Sequence, residues 1–313
     1  MKLNFSAHRI DMLKALTTDP EALDFVWPGL LSGTVGTLFA PGATSKSYWT
    51  LQAAIAVATG VDTVGIEPGA PGRVVYLAAE DPEIVLRHRL RSISVGKCLS
   101  QAEAEMAQER IDLLSVVGAG FNIGNAGQRK DLIDYCRGSR LIIIDTISRA
   151  HHMDENSNGE MAQLLMFLEI IAGQTGAAVL FLHHIAKAMS RAGDGDQQHA
   201  ARGAGALTDN ARMGAALSRM TADEAEQMID KALGSVVPVG PDNRARYVRM
   251  SIPKNNYSVP IADRWYRRDA GGVLTPVELT DAEKGEELQK GAQAYAEAAH
   301  GGDTTRWNYD DAF

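Results

Sequence analysis

The sequence predicts an α/β fold with a mostly parallel central sheet, and three observations support this prediction. Five short apolar runs recur along the chain, separated by longer segments that include helical periodicity. The runs are continuously apolar, which indicates strands covered by helices on both faces. The apolar fraction of 45% allows a sizeable core in a chain of 313 residues. The predicted strands are 35-VGTLFA-40, 74-VVYLA-78, 111-IDLLSV-116, 140-RLIIID-145 and 178-AVLFL-182.

Along the chain we expect three parts. Residues 1–30 form a short N-terminal arm with one amphipathic segment. Residues 31–279 form the α/β core, which contains all five predicted strands. Residues 280–313 form an acidic tail with eight acidic and three basic side chains, and we expect this tail to be flexible.

The segments between and after the strands differ in character. Residues 46–60 and 159–176 are compatible with helices, and the second ends at a glycine, as many helices do. Residues 187–206 are rich in glycine, alanine and polar side chains, which favours a loop. We expect residues 204–231 to be helical and residues 246–276 to form strands joined by turns.

Basic side chains are concentrated in one segment although the net charge of the chain is −8. Residues 244–268 contain seven arginines and lysines against Asp263 alone. Local clusters, more than net charge, determine contact with phosphates. The four aromatic side chains of this segment leave two interpretations open. They form a nucleic-acid surface, or they belong to a core strand pair and a subunit interface, which we favour.

Composition also suggests where the protein works. The first residues lack the apolar core of a secretory signal, and no run of about 18 apolar residues could cross a bilayer. Cys98 and Cys136 are far apart and belong to no C-x-x-C motif, so we expect reduced thiols. We therefore expect a soluble cytoplasmic protein without a membrane partner.

The segment 40-APGATSKS-47, called the phosphate loop below, is close to the motif G-x-x-x-x-G-K-[ST]. Ala40 and Ser45 replace its two glycines. The predicted strand before it and helix after it supply the context in which backbone N–H groups face phosphates. A positive φ at Ser45 would cost about 1–2 kcal/mol, but the backbone donors survive the substitution. We predict nucleotide contacts from Gly42, Ala43, Thr44, Ser45, Lys46 and Ser47.

Polar side chains follow three other predicted strands. Asp145 ends one of them in an arrangement that can hold Mg²⁺, although it could instead cap the next element. Glu80 follows another strand and can polarise an attacking water, while His183 and His184 end a third. Carboxyl ends of parallel strands meet at one edge, so these groups should share a crevice. Adjacent histidines point to opposite faces, so we do not expect a metal site made of protein ligands alone.

These features, in this order, resemble the RecA-type core of DnaB-like ATPases. More closely, the sequence is similar to the RepA family of plasmid replicative helicases, which are small and hexameric. The likeness covers nearly the whole chain except the tail. The similar segments are 33-GTVGTLFAPG-42, 74-VVYLAAEDP-82, 140-RLIIIDTISR-149, 180-LFLHH-184, 202-RGAGALTDNAR-212, 254-KNNYSVPIADRWYRR-268 and 271-GGVL-274.

The resemblance implies a RecA-like P-loop NTPase core and an ATP-dependent, ring-forming DNA helicase that replicates a plasmid or mobile element. Lys46 and Ser47 would bind ATP and its Mg²⁺, and Asp145 would complete the Mg²⁺ site. Glu80 would activate the attacking water. His184, in preference to His183, would sense the γ-phosphate.

The resemblance also implies partners. Arg212 would act at the nucleotide of a neighbouring subunit in a homo-hexamer, and single-stranded DNA would contact Lys187, Arg191 and Arg202. The tail resembles acidic tails that dock replication partners. Because Ser45 replaces the family's glycine, one alternative is a nucleotide-binding regulator with little hydrolysis. A recombinase-like filament is a further alternative, disfavoured because no separate recombination domain is visible.

Overall fold

The computed structural model describes residues 5–184, 207, 210–231, 237–257 and 260–281. The helices are α1 (Met12–Thr17), α2 (Lys46–Thr59), α3 (Glu83–Gly96), α4 (Gln101–Arg110), α5 (Ala126–Tyr135), α6 (Asn158–Thr175) and α7 (Ala222–Gln227). The strands are β1 (Phe25–Trp27), β2 (Leu30–Leu31), β3 (Val35–Ala40), β4 (Val74–Ala78), β5 (Ile111–Ser115), β6 (Leu141–Asp145), β7 (Ala178–His184), β8 (Met213–Arg219), β9 (Met228–Asp230), β10 (Tyr247–Asn255), β11 (Arg264–Arg268), β12 (Leu274–Val277) and β13 (Leu279–Asp281).

Within the described residues, nine strands form one sheet in the order β12-β11-β10-β8-β3-β7-β6-β4-β5. Neighbouring strands from β8 through β5 run parallel, and β10, β11 and β12 add an antiparallel edge. All five predicted strands are present, as β3 to β7. In the register, Ala40 lies beside His184 and Ala78 lies beside Asp145. The strand ends predicted to carry polar groups therefore meet at one edge of the sheet.

Both faces of β3, β4, β6 and β7 are buried, as their continuous apolar character predicts, whereas β5 at the edge of the sheet is half-buried. Successive residues alternate between two hydrophobic clusters: Val74 and Tyr76 belong to one, and Val75 and Leu77 belong to the other. Helix α2 supplies much of the first cluster, and α6 supplies much of the second. The sheet is therefore a central layer packed on both faces, and this packing holds the ends of its strands in place.

The helix expected over residues 204–231 is wrong over Met213–Arg219, which form β8. This segment is rich in alanine and leucine, which favour helices. In the structure its backbone pairs with β3 on one side and with β10 on the other, and most of it is buried. Tertiary pairing therefore overrides local propensity here. The strands expected over residues 246–276 are confirmed as β10, β11 and β12.

The aromatic side chains of the basic segment divide between core and surface. Tyr247 and Tyr266 are buried, Trp265 is half-buried and Tyr257 is exposed. The core strand pair is thus confirmed for β10 and β11, while the subunit-interface part of that interpretation stays a prediction.

The boundary expected at residue 30 is not marked by a change in burial. Val26, Trp27 and Leu30, from the end of the expected arm, are buried in the first hydrophobic cluster, so the division at residue 30 remains a proposal. Cys98 and Cys136 are free thiols. No helix among the described residues is long and apolar enough to span a bilayer.

Candidate nucleotide-binding site

The phosphate loop connects β3 to the start of α2 and has an unusual backbone. Ala43 (φ 59°) and Ser45 (φ 68°) both adopt the left-handed conformation. Each costs about 1–2 kcal/mol relative to glycine. The hydroxyl of Thr44, which is buried, donates to the carbonyl oxygen of Pro41 at 2.7 Å and closes the turn. Ser45 thus has the positive φ that is strained for a residue other than glycine.

Lys46 is the first residue of α2, and only 5% of it is exposed. Its Nζ donates to the carbonyl oxygens of Ala40 (3.0 Å) and Pro41 (3.3 Å) and lies 3.1 Å from Nδ1 of His184. Burial lowers the pKa of Lys46 to about 8, although the charges of Asp145 and Glu80 oppose this shift. The Lys46 ammonium therefore lies inside the phosphate loop, between carbonyl oxygens of the loop and the His184 ring.

Asp145 is a buried carboxylate beside the first turn of α2. The hydroxyl of Tyr76 donates to its Oδ2 at 2.6 Å, and the hydroxyl of Ser47 bonds to it as well. Tyr76 is fully buried, and its hydroxyl oxygen lies 3.0 Å from Oγ1 of Thr50. The Thr50 hydroxyl donates to the carbonyl oxygen of Lys46. Burial raises the pKa of Asp145, and the two hydrogen bonds oppose that rise. The carboxylate is thus held in place by donors on two different elements.

The donors around Asp145 fit Mg²⁺. A carboxylate and the hydroxyl of Ser47 are oxygen ligands of the kind that this ion prefers. Nowhere in the described part of the chain do three or more His, Cys, Asp or Glu side chains gather into a metal-binding group. An ion held here would take its remaining ligands from phosphate oxygens and water, as Mg²⁺ does in nucleotide sites.

Glu80 is linked to Lys46 through His184. Nε2 of His184 lies 3.5 Å from Oε2 of Glu80, and the Thr146 hydroxyl donates to Oε1 at 3.1 Å. A charged lysine can only donate, so Nδ1 of His184 accepts and Nε2 carries the proton toward Glu80. The hydrogen bond from His184 lowers the pKa of Glu80 and keeps it a carboxylate. His183 is buried instead, and burial lowers its pKa to about 4.

Arg212 is not brought to this site. It precedes β8, is exposed, and its backbone N–H donates to the carbonyl oxygen of Val35 at the start of β3. The phosphate loop follows the other end of β3, and six strand residues span about 20 Å. Arg212 therefore lies where the parallel strands begin, and the phosphate loop lies where they end. The predicted DNA contacts Lys187, Arg191 and Arg202 lie outside the described residues.

Sequence reasoning missed several residues of this site. Tyr76 was detectable, because a tyrosine inside an apolar strand needs a partner for its hydroxyl. Thr50 and Thr146 belong to no sequence motif that would identify them as part of a site. Arg219 and Arg268 contact the phosphate loop from distant strands. Arg268 ends the basic segment 244–268, but the sequence does not assign either arginine to the loop.

Comparisons with known proteins agree with this geometry. The family described as an AAA domain matches residues 4–190, more than half of the chain. One solved structure of an ATPase domain is similar, with a TM-score of 0.52 and 15% identity over 79% of this chain and 86% of that one. A crystal structure of the RadB recombinase matches with a TM-score of 0.47 and 14% identity over 78% and 91%. Because the family match covers more than half of the chain, the chain belongs to the AAA domain family. The similarity to the ATPase-domain structure supports a RecA-like P-loop ATPase fold.

Proposed function

We propose that this chain is an ATP-driven, ring-forming motor that moves along single-stranded DNA and unwinds duplex for a plasmid or mobile element. This function follows from the likeness to the RepA helicase family. The observation that carries it is the continuous link from Lys46 through His184 to Glu80, beside the Asp145–Ser47 pair. That arrangement combines phosphate binding, a carboxylate for water and a site for Mg²⁺ at one sheet edge.

In hydrolysis, the phosphate loop and Lys46 hold the phosphates of ATP. Ser47 and Asp145 would hold Mg²⁺, which when bound neutralises phosphate charge. Glu80 accepts a hydrogen bond from the attacking water, and Thr146 fixes its other oxygen. The lowered pKa of Glu80 keeps the side chain a carboxylate, the form that accepts a hydrogen bond and orients the water, although a lowered pKa also makes it a weaker base.

His184 couples the two halves of the site. In this geometry Lys46 donates to His184, and His184 donates to Glu80. A γ-phosphate competes for the lysine, so its arrival and loss change the hydrogen bonding of the histidine. His184 is the last residue of β7, and the proposed DNA contacts Lys187, Arg191 and Arg202 follow it in the sequence. In this proposal the change at His184 controls DNA binding by these residues.

Arg212 acts in trans in this proposal. Its distance from its own phosphate loop and its exposure support a role at the nucleotide of a neighbour. A closed homo-hexamer gives every subunit such a neighbour. An arginine in this role stabilises the charge of the transition state.

Two measurements test the motor. Negative-stain images with ATP should contain closed rings, whereas open filaments would favour a recombinase-like assembly. Strand displacement from a forked DNA duplex should require ATP and should be absent in Lys46→Ala. Rings that bind single-stranded DNA but never displace a strand would contradict the helicase proposal.

A second candidate function has one observation in its favour. Ala43 and Ser45 both hold left-handed backbone conformations in a loop where glycine is usual. A loop strained in this way suits a regulator that binds ATP and DNA but hydrolyses ATP slowly. The steady-state rate of ATP turnover separates this candidate from the motor.

A further inference from the structure

The Ser45 side chain does not cap the helix that it precedes. It occupies the N-cap of α2, where a serine side chain commonly accepts from the first helical N–H groups. Its left-handed backbone (φ 68°, ψ 24°) is accompanied by no such hydrogen bond. Instead its Oγ accepts from Nε of Arg268 at 2.9 Å. A glycine at this position could not make that contact.

A second arginine, Arg219, also contacts the phosphate loop. Arg219, the last residue of β8, donates from Nη2 to the carbonyl oxygens of Gly42 (3.3 Å) and Ala43 (3.2 Å). Arg268, the last residue of β11, donates from Nη2 to Ala43 at 3.4 Å and from Nη1 to Ala245 at 3.3 Å. The Ala43 carbonyl therefore accepts from both guanidinium groups.

The two guanidinium groups are like charges that both contact the Ala43 carbonyl oxygen. Among the described residues, no carboxylate lies within 4.0 Å of either group. Burial lowers the pKa of Arg268, and the charge of Arg219 lowers it further. An anion at the loop would relieve this repulsion. A guanidinium group also has five donors, so donors remain after the carbonyl contacts are made.

We propose that Arg219 and Arg268 bind the phosphates of the nucleotide held by their own chain, and that Ser45 positions Arg268 for this contact. The inference rests on the proposed nucleotide site and names two further ligands for it. It also gives a reason for the serine: the backbone strain at Ser45 accompanies a side chain that ties β11 to the loop. Ser45 is thus a positioning residue that acts through Arg268.

The test is the affinity for ADP and for inorganic pyrophosphate, measured by displacement of a fluorescent ADP analogue. Arg268→Ala should weaken both ligands by the same factor, about tenfold to a hundredfold, because pyrophosphate has neither base nor ribose. Arg268→Lys should recover part of the loss by keeping the charge. The control Arg137→Ala removes an exposed arginine that forms an ion pair with nearby Asp134, and it should change neither affinity.

Ser45 is tested in two backgrounds. Ser45→Ala keeps the backbone strain and removes the hydroxyl, and Ser45→Gly removes both. Each should weaken pyrophosphate binding about two- to tenfold in the natural chain, because Arg268 loses its orientation. Neither should have an effect when Arg268 is already alanine. A gain in affinity in Ser45→Gly would mean that the serine only restrains the loop, and the inference would be lost.

The remaining outcomes separate this inference from the function on which it rests. If Arg268→Ala weakens ADP but not pyrophosphate, the arginine contacts base or ribose and the phosphate assignment is wrong. If the natural chain binds ADP, Lys46→Ala abolishes binding and Arg268→Ala changes nothing, the nucleotide site stands and only the arginine pair falls. If the natural chain binds neither ligand, the nucleotide site itself is wrong.

Discussion

Replacing Tyr76 by phenylalanine removes one hydroxyl from the centre of the candidate site and leaves the packing volume almost unchanged. The lost hydroxyl donates to Oδ2 of Asp145 at 2.6 Å, and Asp145 is only 3% exposed. Water has little access to replace the donor. Thr50 keeps its bond to the Lys46 carbonyl and is not left unpaired. A hydrogen bond to a charged group contributes about 1.5–3 kcal/mol, and we expect the free energy of unfolding to fall by that amount at neutral pH.

Urea unfolding followed by tryptophan fluorescence measures this loss, at one protein concentration because assembly shifts apparent stability. Burial raises the pKa of Asp145, and the bond from Tyr76 opposes that rise because it favours the charged form, so the difference should shrink as pH falls. The contribution of the bond is present above that pKa and lost below it. Tyr257→Phe, at an exposed tyrosine, should stay within about 0.5 kcal/mol of the natural chain. Equal midpoints for Tyr76→Phe and the natural chain would mean that this hydrogen bond does not stabilise the fold.

Three other predictions concern binding and turnover. The dissociation constant for ADP should rise about tenfold between pH 7 and pH 9, because Lys46, with a pKa near 8, loses the charge that holds phosphate; a titration as steep in Lys46→Ala would assign the effect elsewhere. Glu80→Gln should still bind ATP but hydrolyse it at least about a hundredfold more slowly in single-turnover assays, and normal rates would remove Glu80 from the mechanism. Arg212→Ala should bind ATP normally and lose about a thousandfold in rate, and unchanged hydrolysis would exclude it as the trans-acting arginine.

Much of the fold could be predicted because the parallel strands carry a continuous signal. Ile142, Ile143 and Ile144 are all fully buried, so burial on both faces leaves no polar interruption in the sequence. The carboxyl-edge rule then brought distant strand ends together. His184 lies beside Lys46 in the structure although 138 positions separate them in the chain. A rule about sheet topology, and not local propensity, made that proximity predictable.

Strand β8 could not be predicted in the same way. Its sequence, 213-MGAALSR-219, is compatible with a helix, and only the hydrogen bonds offered by β3 and β10 make it a strand. The two arginines at the loop share this difficulty. Arg268 and Ser45 are 223 positions apart. The basic segment 244–268 and the phosphate loop are each visible in the sequence, but no local pattern pairs these two residues. Features that depend on a single long-range pairing leave no local pattern.

The central claim is that the irregular phosphate loop supports ATP hydrolysis coupled to DNA. The most direct measurement is the steady-state rate of ATP hydrolysis with and without single-stranded DNA, with Lys46→Ala as the control. We expect turnover that rises when DNA is added and disappears in the variant. Tight ATP binding without turnover, in the presence of DNA, would contradict the motor and leave the nucleotide-binding regulator as the function of this chain.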